Sequence, residues 1–163
     1  MNAIRSALEG FRKQGQGLGG GKDQLLADAY NKTMVRIKEQ RAGFRDLATK
    51  ALSWITCAMR PLTTSEFLCA LAIDADKSEI DQGDLLPLSE VVSACGGLVT
   101  IDNESNIIRL VHYTAQEYFE QTQEQWFPNT QSMITKICVA CLSFNAFKHD
   151  FGQTNYEFEE RLH

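Results

Sequence analysis

Two short runs rich in β-branched residues, Leu98-Val99-Thr100-Ile101-Asp102 and Ile107-Ile108-Arg109-Leu110-Val111, stand in a chain whose other apolar residues recur at helical spacing. Asn103-Glu104-Ser105-Asn106 joins the two runs as a hairpin turn. An isolated hairpin is marginal in water, so the helices around this one must cover it. The fold class that follows is mainly α with a single β-hairpin.

The helices can be placed from their stripes and their stops. Asn2 to Arg12 reads as a short amphipathic helix, and Gly15-Gln16-Gly17-Leu18-Gly19-Gly20-Gly21 after it reads as a flexible linker, because glycine loses the most backbone entropy on ordering. Leu26, Tyr30, Thr33 and Ile37 mark a helix from Gln24 to Gln40. Phe44, Leu47, Ala48, Ala51, Leu52, Ile55, Ala58 and Met59 mark another from Gly43 to Met59, ended by Pro61. Thr63-Thr64-Ser65-Glu66 is a capping box for a helix burying Phe67, Leu68, Leu71 and Ala72. The acidic stretch Asp74 to Asp84 is a loop, and Leu88 to Cys95 is a brief helix closed by Gly96-Gly97. A helix starting near His112 carries Ala115, Tyr118, Phe119 and Thr122, and a last one beyond Pro128 carries Met133, Ile134, Ile137, Cys138, Cys141 and Leu142. Helix, connector, helix, helix, hairpin, helix is the order of a winged-helix domain, with the hairpin as wing. Its expected limits are 43–123, between a helical lead-in with its Gly-rich linker at 1–42 and the start of a following helical segment at 124–163.

Charge and cysteine content narrow the function classes. The net charge is −5, but residues 1–50 hold ten Lys/Arg against five Asp/Glu while residues 51–163 hold six against sixteen. Such asymmetry fits a segment of a larger machine with different neighbours on its two sides, and equally fits the solvated faces of one domain. The third helix of a winged-helix domain commonly reads the major groove, yet here it is Leu88-Ser89-Glu90-Val91-Val92-Ser93-Ala94-Cys95, without a basic residue. Asp102 and Glu104 add negative charge at the wing. Phosphate neutralisation dominates DNA affinity, so no nucleic-acid partner is expected and a protein-facing role is favoured over a DNA-binding regulator. No apolar run approaches the roughly 18 residues of a membrane-spanning helix, and the first residues do not form a secretory signal, so a cytoplasmic protein without a membrane partner is expected. Cys57, Cys69, Cys95, Cys138 and Cys141 lie in apolar neighbourhoods, which suits reduced core thiols.

Several motif matches fail on context. Gly15, Gly17 and Gly20 have the spacing of a dinucleotide fingerprint but no strand before them. Gly21-Lys22 lacks the first glycine of a phosphate loop and has Asp23 at the magnesium-binding position. Cys138-Val139-Ala140-Cys141 has no second ligand pair for zinc, and both cysteines are expected on the apolar face of their helix. Asp74-Ala75-Asp76 opens like a calcium loop but has Glu79 where glycine is required. No catalytic residues, no metal and no enzymatic activity are expected of this chain. His112 is left, at the junction between the second wing strand and the next helix. Its ring N–H could meet a phosphate near a helix start that favours anions, or the ring could cap its own helix or fill a crevice.

Leu52-Ser53-Trp54-Ile55-Thr56-Cys57-Ala58-Met59-Arg60-Pro61-Leu62-Thr63, Gly96-Gly97-Leu98-Val99-Thr100-Ile101-Asp102 and Arg109-Leu110-Val111-His112-Tyr113-Thr114-Ala115-Gln116-Glu117-Tyr118-Phe119 together resemble the winged-helix region of fungal NACHT and ankyrin-repeat proteins. The resemblance implies a signalling NTPase of the nucleotide-binding, oligomerising receptor type, linked to nonself recognition, of which this chain is the middle. It implies a preceding NACHT domain and a following repeat domain as partners, oligomerisation on activation, and ADP or ATP held by the parent protein and not by this chain. Related receptors carry Met-His-Asp where this chain has Val111-His112-Tyr113, and their histidine meets the ADP β-phosphate in the closed state. The histidine matches and the aspartate does not. Adaptor function as a separate protein stays open beside this reading.

Overall fold

The computed structural model describes residues 19–74 and 86–144. The helix expected at Asn2–Arg12, most of the acidic loop and the end of the chain lie outside the described residues. The elements run α1 (Gly19–Lys38), α2 (Ala42–Cys57), β1 (Leu62–Thr63), α3 (Thr64–Ala72), α4 (Leu88–Ala94), β2 (Val99–Asp102), β3 (Ile107–Leu110), α5 (Tyr113–Gln121), α6 (Gln123–Trp126) and α7 (Thr130–Ser143). This is a winged-helix domain, mainly helical with a small antiparallel sheet.

The sheet has the order β1-β3-β2, with Val99 opposite Leu110 and Asp102 opposite Ile107 in the hairpin and Leu62 opposite Ile108 on the other side. Two residues carry no periodicity, so β1 has no signature in the sequence. Pairing with β3 makes it a strand, and Thr64 N–H extends the seam to the Asn106 carbonyl at 2.8 Å. The Asp102 carboxylate accepts from the backbone N–H of Glu104 and Ser105 at 3.1 and 3.4 Å, which closes the wing turn, and Asn106 takes φ +54° to complete it. Gly96 and Gly97 supply the φ values of +61° and +87° that turn the chain from α4 into β2.

The core forms where α2 passes between the other elements. Ala48, Ala51, Leu52 and Trp54 of α2 meet Phe67 of α3, Val91 and Ala94 of α4, Ile108 and Leu110 of β3, and Phe119 of α5 in one buried cluster. Tyr30, Met34 and Ile37 of α1 belong to the same cluster. Lys50 joins α2 to the end of α3 by donating to the Leu71 carbonyl at 2.7 Å, and its burial there lowers its pKa.

Some expectations are corrected. α1 starts at Gly19 and not at Gln24, so the last three glycines of the expected linker form a first helical turn, where N–H groups need no intrahelical acceptor. α2 stops at Cys57, because Ala58 is already extended as the chain turns toward β1. Met59 is therefore outside the helix and almost fully exposed, and Phe44 in its first turn is also exposed. Cys138 is exposed and Cys141 half-buried, since α7 lies at the periphery and packs only the face holding Met133, Ile137 and Ala140. All five cysteines are free thiols, and burial pushes Cys95 up to about 12.

The capping box forms as its spacing predicts. Thr63 Oγ1 accepts the Glu66 N–H at 3.3 Å, and the Glu66 carboxylate accepts the Thr63 N–H at 2.9 Å. The Arg60 guanidinium grips the same carboxylate through two bonds of 3.0 and 2.6 Å. That grip, helped by the Thr63 bonds, holds the carboxyl at about 2 against an ordinary 4.5. A depressed carboxyl pKa stabilises the fold above the ordinary value and ceases to do so as the pH falls through the folded one. Glu66→Gln is accordingly expected to destabilise at neutral pH, with the difference from wild type shrinking between pH 4.5 and about 2. Thr63→Ala should cost about 0.5–2 kcal/mol. Urea unfolding across that pH range measures both.

Candidate functional site

His112 follows β3 after one residue and holds an extended backbone, φ −151° and ψ 150°, as the N-cap of α5. A strand that feeds directly into a helix needs a side chain to take the helix's first N–H groups, and the imidazole does so here. Nδ1 accepts the Thr114 N–H at 3.3 Å and lies 2.9 Å from Thr114 Oγ1. Tyr113 stacks at a tilt against the ring, centroids 4.5 Å apart, and is itself largely exposed. The ring is half-buried, and among the described residues Nε2 makes no hydrogen bond. The structure therefore gives His112 the capping role that the sequence offered as one of its two readings, and that role occupies only Nδ1.

The surroundings of the cap reach across the domain. Thr114 Oγ1 lies 2.7 Å from the hydroxyl of Tyr30 on α1, so three side chains from two distant parts of the sequence form one line. Tyr30 packs against Tyr118 with ring centroids 5.4 Å apart, and Tyr118 Oη accepts the Trp126 indole N–H at 2.9 Å. Lys38 at the end of α1 sits over the Trp126 ring, 4.5 Å from its centroid. α1 is thus clasped to α5 and α6 at both ends of this chain of contacts. Burial raises the Tyr30 pKa, partly opposed by the bond to Thr114, so the hydroxyl keeps its proton at neutral pH. Sequence reasoning read Tyr30 as core only and missed Thr114. A His-x-Thr triplet at a helix start was the available local signal; the 84-residue separation hid the tyrosine.

The helix face and the wing turn that would meet DNA are acidic or neutral. Ser89, Glu90 and Ser93 are the exposed residues of α4, and at the wing Glu104 is exposed in the turn and Arg109 on β3. Among the described residues no cluster of three or more His, Cys, Asp or Glu is placed to hold a metal ion, and no helix is long and apolar enough to cross a membrane.

The three-helix core, the wing and the strand-to-helix junction define the winged-helix class. Residues 35–126 match the model of the family described as GPI inositol-deacylase, winged helix domain, and this chain belongs to that family. No curated protein and no solved structure matches the chain. The matched span begins inside α1 and ends at the last residue of α6, so Tyr30 stands outside it while His112 and Thr114 stand within.

Because the cap uses Nδ1 alone, its loss should be a local cost. His112→Ala is expected to destabilise the domain by about 0.5–2 kcal/mol without unfolding it, and His112→Asn, with another good capping side chain, to recover most of that. Denaturant unfolding of the three proteins decides.

Proposed function

We propose that this chain is a non-catalytic regulatory and interaction module of a NACHT-type signalling NTPase, packing on the nucleotide-binding domain to hold its ADP-bound closed state. Membership of a winged-helix family supports a module that regulates or interacts. The finer reading draws on the resemblance of the His112 region to fungal NACHT and ankyrin-repeat receptors. The observation that carries it is the open Nε2 of a histidine whose other nitrogen is committed to the N-terminus of α5. With Nδ1 accepting, neutral His112 carries its proton on Nε2 and presents a donor beside a helix start, an arrangement suited to a phosphate oxygen. Tyr113, where related receptors have aspartate, supplies no second acceptor of that kind.

In this role the chain binds no nucleotide by itself. The parent protein's phosphate loop holds ADP, the preceding NACHT domain and a following repeat domain are its partners, and opening lets the receptor oligomerise in the cytoplasm. A hydrogen bond to a charged group contributes about 1.5–3 kcal/mol. If it exists only in the closed state, losing it moves the closed-to-open equilibrium about 10- to 150-fold. In the full-length parent, both His112→Ala and His112→Asn should speed ADP release and raise spontaneous oligomerisation, while Glu104→Ala at the wing does neither. The pairing with asparagine separates phosphate contact from capping. Release at the wild-type rate in both histidine variants, followed with a fluorescent ADP analogue and light scattering, would overturn the proposal.

The alternative, a winged-helix DNA-binding regulator, is opposed by the uncharged or acidic exposed face of α4. No retardation of random duplexes is expected at micromolar protein and physiological salt. Micromolar binding with a steep salt slope would favour the alternative.

A further inference from the structure

We infer that Tyr30 and Thr114 are positioning residues that hold the His112 ring as its Nε2–H tautomer, and that withdrawing α1 from α5 releases this hold. The inference deepens the proposed phosphate contact, since that contact needs the proton on Nε2. The Tyr30 hydroxyl is 2.7 Å from Thr114 Oγ1, and Thr114 Oγ1 is 2.9 Å from His112 Nδ1. Distances alone leave the direction of such a line open. Two further facts set it.

Tyr30 is 1% exposed, and Thr114 is the one hydrogen-bond partner of its hydroxyl among the described residues. With the proton on Nδ1, three hydrogens, those of Nδ1, Thr114 and Tyr30, would share the two contacts of the line, and either the buried tyrosine hydrogen or the threonine hydrogen would be left off it. In the other direction Tyr30 donates to Thr114 Oγ1, Thr114 donates to Nδ1, and both hydroxyl hydrogens of the line have an acceptor. The Thr114 backbone N–H, aimed at Nδ1 from 3.3 Å, favours the same direction because it would otherwise face another N–H. Donors in series also polarise one another.

The consequence is mechanical as well as chemical. Tyr30 sits on α1, outside the span that matches the family, whereas Thr114 and His112 share the start of α5. Movement of α1 withdraws the hydroxyl that orients the line, so the protonation site of His112 reports whether α1 is docked. Tyr30→Phe removes that hydroxyl and keeps the ring that packs against Tyr118.

Nitrogen-15 spectra of the imidazole in this chain, free of nucleotide and above the pH at which the ring is protonated, measure the tautomer ratio directly. Wild type should show His112 almost wholly as Nε2–H. Tyr30→Phe should lower the ratio of Nε2–H to Nδ1–H by up to about tenfold, the scale of one buried donor left unpaired. Thr114→Val should lower it further, and Thr114→Ser, which keeps the hydroxyl, should restore it. A wild-type ratio in Tyr30→Phe, or serine and valine variants that behave alike, overturns the relay. This outcome is independent of the ADP-release comparison, which can fail while the tautomer shifts as expected.

Discussion

α2 buries Ala48, Ala51, Leu52, Ser53, Trp54, Thr56 and Cys57, residues that do not lie on one stripe, so partners are needed on more than one side of it. α1, α3, α4, α5, α7 and β3 all pack on it. A helix buried in this way leaves its neighbours little freedom: the chain that leaves it at Ala58 must turn into an edge strand, and β3 must run beside that strand. The junction at His112 follows from this arrangement. β3 is fixed by α2 on one face and by two strands at its edges, α5 is fixed by Phe119 in the same core, and only Val111 and His112 separate them.

Much of this was legible in the sequence for reasons that can be named. The wing is visible because two short β-branched runs flank a polar four-residue turn, and α3 because the Thr63–Glu66 spacing matches the reach of two reciprocal bonds. Burial around α2 was legible only in part: Phe44 and Met59 continue its apolar pattern, but Phe44 falls in its first turn and Met59 beyond its end, and both are exposed. β1 was not legible, because a strand of two residues exists only through its partner. Cys138 illustrates the limit from another side. Its neighbours in sequence are apolar, but Val139 and Leu142 share its exposure on a peripheral helix, so an apolar run did not mean a buried one.

The candidate site divides in the same way. Position along the chain was enough to single out His112, since strand end and helix start meet there. What the ring does depends on Thr114 two residues on and Tyr30 far away, and only the second needed three dimensions. Capping and ligand binding are often treated as rival explanations for a histidine at a helix start. In the function proposed for His112 they use different nitrogens. With Nδ1 accepting from Thr114 the neutral ring carries its proton on Nε2, so in the proposed function the structural role would prepare the chemical one.

The docking of α1 then acquires more weight than packing alone would give it. Tyr30, Met34 and Ile37 are each 1% exposed, and Lys38 closes over Trp126, so the domain core described here extends beyond the matched span toward the start of the chain. Such a boundary helix is well placed to transmit displacement, because it shares a core with the domain that follows it and a backbone with whatever precedes it. A rigid-body shift of α1 away from α5 would break the aromatic contact of Tyr30 with Tyr118. The same side chain holds the first hydroxyl of the line to His112. Packing and hydrogen bonding therefore meet at one residue, and in the inferred relay a displacement of α1 would weaken both together.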